Sequence, residues 1–140
     1  MNTGYLCANP PAEAEAKTKR ILIVDDEAGY LLALRKILQG PMVTVDTAET
    51  VEAAKALIEE RAYSAVIADV MLTTLLGEEG LEILRHVKNR KPGTKVIIVT
   101  AHGNSGILEK ALVGGADLFF EKPLSSHILI QVLKSWGIEC

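Results

Sequence analysis

At 140 residues, 49% of them hydrophobic, the chain has the size of one compact domain with a core of its own, and no second domain is visible in it. A formal net charge of −3 supplies no basic field for a nucleic-acid backbone. No apolar run approaches the roughly 20 residues needed to cross a bilayer, and Cys7 and Cys140 stand at opposite ends without zinc or C-x-x-C spacing. These features argue against direct nucleic-acid binding, a membrane span and a disulfide framework, and they suit a reducing cytoplasm.

Residues 1–19 carry Asn9-Pro10-Pro11 and an Ala/Glu alternation but little branched or aromatic density, which reads as a mobile tail. They lack the apolar centre of a secretory signal. Residues 20–26 form a first strand in which Ile21-Leu22-Ile23-Val24 runs into Asp25-Asp26, and residues 28–39 follow as a helix with Leu31, Leu34 and Leu38 on one stripe, closed by Gly40-Pro41. Alternation over 42–46 predicts a strand nearer the sheet edge. Val51, Ala54, Leu57 and Ile58 then stripe a helix of about 50–61 that Thr50 can cap.

Residues 65–69, Ala65-Val66-Ile67-Ala68-Asp69, are too short and too apolar for anything but a buried strand, and they end in a carboxylate. A loop over 70–79 leads to a third helix striped by Leu81, Leu84 and Val87, which stops before Lys91-Pro92-Gly93. Strand 95–100 ends in Thr100. It passes through Gly103-Asn104-Ser105-Gly106 into a helix of about 105–113, ended by Gly114-Gly115. Strand 117–121 meets Lys122-Pro123, and a last helix of about 125–136 carries Ile128, Val132 and Trp136 on one face with Leu129 and Leu133 beside them. Five βα units with short connections require a doubly wound α/β domain: one five-stranded parallel sheet, helices on both faces, right-handed crossovers. Two strand orders are common for such sheets, and periodicity does not choose between them.

In an open parallel sheet the carboxyl ends of the strands share one edge, so Asp25, Asp26, Asp69, Thr100 and Lys122 should converge there. Taken singly each has an ordinary reading: a helix cap, a turn residue, a β-branched strand residue, a solvated lysine. Complementary groups at four separate strand ends are harder to explain by chance. Three neighbouring carboxylates repel one another, and a cation between them is the simplest resolution; oxygen-only ligands favour Mg²⁺, which commonly also takes a phosphate oxygen. A cation beside a carboxylate, with a lysine and a hydroxyl opposite, is apparatus for phosphoryl transfer, and Asp69 is the candidate nucleophile that would form an aspartyl-phosphate.

Val24-Asp25-Asp26-Glu27, Ile67-Ala68-Asp69-Val70-Met71, Val99-Thr100-Ala101-His102 and Glu121-Lys122-Pro123, in this order and at these intervals, resemble the receiver domain of two-component response regulators. The resemblance covers about residues 20–136, within a domain read as 20–138. It implies the flavodoxin-like strand order 2-1-3-4-5. It also implies a switch rather than an enzyme acting on an external metabolite. Asp69 would accept the phosphoryl group from the phosphohistidine of a sensor histidine kinase or phosphotransfer protein. Asp26, Asp69 and the carbonyl of Met71 would bind Mg²⁺, with Asp25 acting largely through water. Thr100 and Lys122 would engage the phosphoryl group, small Ala101 would leave room for the donor, and Phe119 would be the switch aromatic. Met71 and His102 would modulate dephosphorylation. Output, to an effector or a second copy, would pass through the face spanning 104–136, where Ile130 reads as lying on the less buried side of the last helix. The Lys122-Pro123 bond is expected to be cis, in a tight turn that aims the lysine over the strand ends.

The chain departs from the family in one place. A proline is usual four residues past the phosphoacceptor, but Thr73 stands there; Gly77 falls eight past, and Gly80-Leu81-Glu82-Ile83-Leu84 opens the helix three residues late. The loop reads as lengthened, with Leu75-Leu76 expected to pack as a partly ordered flap near Asp69. Three rival readings share the fold or the chemistry. A haloacid-dehalogenase-type phosphatase needs an aspartate two past its nucleophile, where this chain has Glu27 or Met71. A flavodoxin needs a phosphate loop rich in Ser, Thr and Gly, where this chain is acidic. A scaffold that is never phosphorylated has no use for the complete acid, threonine and lysine set.

Overall fold

The structure, a computed structural model, describes residues 18–69, 79–101 and 105–139. Most of the expected tail lies outside these residues, but Lys19, counted in it, already belongs to the first strand. The elements alternate as β1 (Lys19–Val24), α1 (Ala28–Leu38), β2 (Val43–Ala48), α2 (Val51–Glu60), β3 (Ala65–Asp69), α3 (Glu79–Arg90), β4 (Lys95–Thr100), α4 (Ser105–Val113), β5 (Leu118–Glu121) and α5 (Ser126–Ser135). All four strand pairings are parallel and the order is β2-β1-β3-β4-β5, which resolves the choice that periodicity left open. Among the described residues no helix is long and apolar enough to cross a membrane.

The interior strands are apolar on both faces because both faces are covered. On one side Leu22, Val24, Val66, Ala68, Val96 and Ile98 meet α2, α3 and α4. On the other, Ile21, Ile23, Ile67, Ile97 and Val99 meet Leu31, Leu34 and Leu38 of α1 and Leu129 and Leu133 of α5. Every residue of β3 is buried, Asp69 included, so its position along the sheet is set by side chains on both faces at once.

Helix ends follow local chemistry. Thr50 caps α2, its side-chain oxygen accepting from Ala53 N at 3.1 Å, and Ser125 caps α5 by accepting from Ile128 N at 3.3 Å. Gly114 and Gly115 end α4 for different reasons. A Cβ on Gly114 would lie 2.9 Å from Leu84 Cδ2, whereas Gly115 has φ +97°, a left-handed conformation.

On α5 the expected apolar face is rotated. Leu129 and Leu133 are the buried pair, Ile128 is 46% exposed, and Ile130, read as lying on the less covered side, packs against the core. Helical spacing groups the residues correctly but does not say which side the sheet covers; α1 packs against α5 and settles it.

The edge strand β2 is tied down by a polar cluster. Asp46 Oδ2 accepts from Arg20 at 3.1 Å, Arg61 at 2.8 Å and the Tyr63 hydroxyl at 2.7 Å.

Candidate functional site

Parallel register brings the polar residues together. Val24 pairs with Ala68, so Asp25 continues its strand beside Asp69; Asp69 pairs with Val99, one residue short of Thr100; and Thr100 pairs with Glu121, one short of Lys122. The Lys122 amide donates to the Thr100 carbonyl at 2.8 Å. The Lys122-Pro123 bond is cis, as expected.

The lysine reaches back across the edge. Its Nζ donates to Asp25 Oδ2 at 2.6 Å and to Asp69 Oδ2 at 3.0 Å, and it lies 3.9 Å from Glu27 Oε1. The carboxylates it meets are almost sealed, the side chains of Asp25 and Asp69 being 2% and 7% exposed. Burial alone depresses the Lys122 pKa, but the bonds from Asp25 and Asp69 outweigh it and raise the pKa well above the ordinary lysine range. Lys122 is therefore a fixed positive charge at neutral pH.

Asp25, Asp26 and Asp69 each place a carboxylate oxygen within 4.8 Å of the other two. Octahedral coordination at about 2.0–2.1 Å sets ligand oxygens about 3–4 Å apart, so the group needs only a small inward rotation to close on a cation, and Asp26 is exposed and able to make it. The donor set is oxygen alone, which suits a hard divalent ion. Asp25 is already engaged through both oxygens, Oδ1 accepting from Glu27 N at 2.9 Å and Oδ2 from Lys122. That bond to Glu27 N fixes the turn before α1 and is not the helix cap the local sequence suggested: Glu27 stands at the N-cap, and no side chain caps the helix there.

Thr100 is fully buried and Ala101 is exposed at the same edge. Phe119 is half-buried and packs against the core beneath α2, α3 and α4. Met71, Thr73, Leu75-Leu76, Gly77 and His102 lie outside the described residues, and with them the expected flap.

Sequence reasoning passed over Tyr30. Its ring lies under the Lys122 ammonium, 4.8 Å from Nζ to the ring centroid, and its buried hydroxyl has no hydrogen-bond partner among the described residues. Burial raises its pKa; Lys122 opposes this, and Asp25, Asp69 and Glu27 add to it. The available signal was an aromatic residue four past Asp26, in the first turn of the helix, where side chains lean back toward the strand ends.

A doubly wound parallel sheet with three carboxylates, a threonine and a lysine at its carboxyl edge defines a class: an α/β regulatory domain built around an acidic pocket. The response regulator receiver domain family matches residues 21–134, and the chain belongs to that family. It is a receiver of two-component signalling, a family of phosphorylation-regulated switches whose domains are regulatory phosphoacceptors paired with histidine kinases. The CheY-like response regulator receiver domain protein from Methanospirillum hungatei superposes with a TM-score of 0.77 at 31% identity, over 84% of this chain and 91% of that one. The BeF3-activated DrrB receiver domain superposes at 0.75 and 32%, over 86% and 97%. Photosynthetic apparatus regulatory protein RegA of Rhodobacter capsulatus is 26% identical over 85% of this chain. The chain spans 63% of RegA's length and as little as 14% of other curated relatives.

Proposed function

We propose that this domain, over residues 20–138, is a phosphorylation-operated switch in which Asp69 is the phosphoacceptor. The observation that carries the reading is the Lys122 ammonium seated on Asp25 and Asp69 at the strand edge, with Thr100 adjoining. A carboxylate oxygen of Asp69 attacks the phosphorus of a phosphohistidine on a sensor histidine kinase or phosphotransfer protein. The new O–P bond forms as the N–P bond breaks, and its electron pair returns to the imidazole. Asp26, Asp69 and the Met71 carbonyl would hold Mg²⁺, with Asp25 acting through water, and the bound ion would supply charge neutralisation for the phosphoryl group. Lys122 turns from Asp69 Oδ2 to a phosphoryl oxygen, the Thr100 hydroxyl donates to another, and Ala101 leaves the approach open.

The response then spreads along 104–136. Thr100 follows the phosphoryl group and Phe119 changes how it packs behind it. Leu108, Leu112, Val113 and Ile128 are exposed on that stretch, 39%, 55%, 84% and 46% respectively, and offer an apolar surface to an effector or a second copy. A beryllofluoride-activated NtrC4 receiver domain forms a dimer and supports the second option. Met71 and His102 act on the lifetime of the phosphorylated state, and the charge and hydropathy of the chain suit the cytoplasm.

The test is incubation with Mg²⁺ and acetyl phosphate followed by intact mass. One added phosphoryl group is expected, strongly reduced without Mg²⁺ and absent in Asp69→Asn. A wild-type protein that gains none, or an Asp69→Asn protein that gains one equally, overturns the reading.

A further inference from the structure

We infer that Tyr30 is a positioning residue for Lys122, an aromatic seat that keeps the ammonium aimed at Asp69; the inference rests on the phosphoacceptor reading above. Lys122 has a long flexible stem and three carboxylates to choose from. Two of them, Asp25 and Asp69, hold Nζ over the strand edge. The third, Glu27, lies 3.9 Å away on a side chain that is 71% exposed, and it draws the charge outward to solvent.

The Tyr30 ring closes the remaining side. It stands in the first turn of α1, packs partly against the core between α1 and α5, and presents its face to Nζ at 4.8 Å. A cation at this distance from a ring face is attracted by the ring quadrupole. Lys122 thus rests on two carboxylate oxygens and one ring. When the phosphoryl group arrives, the ammonium must leave Asp69 Oδ2 without leaving the edge, and the ring is the one of these three supports that the reaction does not alter.

The hydroxyl does not explain the residue. It is buried and makes no hydrogen bond among the described residues, and an unmade hydrogen bond disfavours a tyrosine where a purely apolar side chain would fill the same space. What distinguishes Tyr30 from such a filler is the face it turns to Lys122. Phenylalanine should therefore replace it, and leucine, similar in apolar character but without a ring, should not.

Two readouts test this on the whole chain. The first needs no phosphorylation: the Lys122 εCH₂ proton shifts in wild type, Tyr30→Phe and Tyr30→Leu. The ring should displace them upfield in the first two and not in the third. The second is the rate of phosphoryl uptake from acetyl phosphate at saturating Mg²⁺. It is expected to fall roughly fivefold in Tyr30→Leu, to stay within about twofold of wild type in Tyr30→Phe, and to show no further fall when Tyr30→Leu is added to Lys122→Ala.

The last comparison separates positioning from packing, since a packing defect slows the Lys122→Ala background as well. Ordinary εCH₂ shifts in wild type, wild-type uptake in Tyr30→Leu, or a further fall in the Lys122→Ala background each overturns the inference. If wild type takes no phosphate, the phosphoacceptor reading fails, and the εCH₂ shifts alone decide whether Tyr30 seats the lysine.

Discussion

Among the described residues, two of the carboxylate-centred groups are opposite in balance. At Asp46, one carboxylate oxygen is met by two guanidiniums and a phenol. At the carboxyl edge of the sheet, three carboxylates, two of them buried, lie together, and one ammonium bonds the two buried ones. The first cluster is oversupplied with donors and asks for nothing further; it fastens an edge strand. The second carries more negative than positive side-chain charge, and the proposed cation and phosphoryl site rests on that imbalance. Proximity of acids alone therefore does not mark a site. Their balance does.

The largest effect that sharpens this contrast is expected from Asp46→Asn. Burial pushes the Asp46 carboxyl up, but bonds from Tyr63, Arg61 and Arg20 outweigh it and hold the pKa below the ordinary value. Losing the charged acceptor of the Tyr63 hydroxyl should lower unfolding stability by about 1–3 kcal/mol, measured by urea denaturation, with the exposed arginines adding little. A neutral result would mean that β2 is held by its apolar side chains alone.

The pH dependence of the same measurement comes next. Asp46 is depressed, so its contribution is complete above the unfolded carboxyl pKa of about 3.9 and is lost as pH falls below it. Lys122 is raised, so its contribution is complete below the unfolded value of about 10.4 and is lost only as pH climbs through the higher folded value. These two groups leave stability level between about pH 5 and 9, and Asp46→Asn should remove part of the acid decline. An acid limb unchanged by that substitution would contradict the role given to Asp46.

A smaller effect of opposite sign is expected at the other cluster. Asp26→Asn removes one of several like charges from an exposed position and should raise stability by a few tenths of a kcal/mol, up to about 1 kcal/mol at low salt. The same chemical change thus weakens one cluster and relieves the other. Equal destabilisation in both would break the comparison.

Much of this contrast was readable before any coordinates. Strand 65–69 and the positions of Asp25, Asp26, Asp69, Thr100 and Lys122 follow from short apolar runs that stop at polar residues, because in a parallel sheet every such stop falls on one edge. What stayed hidden depends on lateral packing. Asp46 reads as one polar step in an alternating strand, and only the folded chain brings Arg61 and Tyr63 to it. Tyr30 lies off the Leu31, Leu34 and Leu38 stripe and draws no notice in the sequence, since the lysine it meets lies 92 positions away. Ile128 and Ile130 exchange exposure because helical period does not reveal which side a neighbouring helix covers.

The most direct test of the central claim is a Mg²⁺ titration followed by backbone amide shifts, with the two clusters read in the same spectra. Shifts are expected at residues 25, 26, 69, 100 and 122 and not at 20, 46, 61 and 63, and they should be lost or strongly weakened in Asp26→Asn. No response at the strand edge, or equal responses at both clusters, would contradict the assignment of the acidic edge as the cation and phosphoryl site.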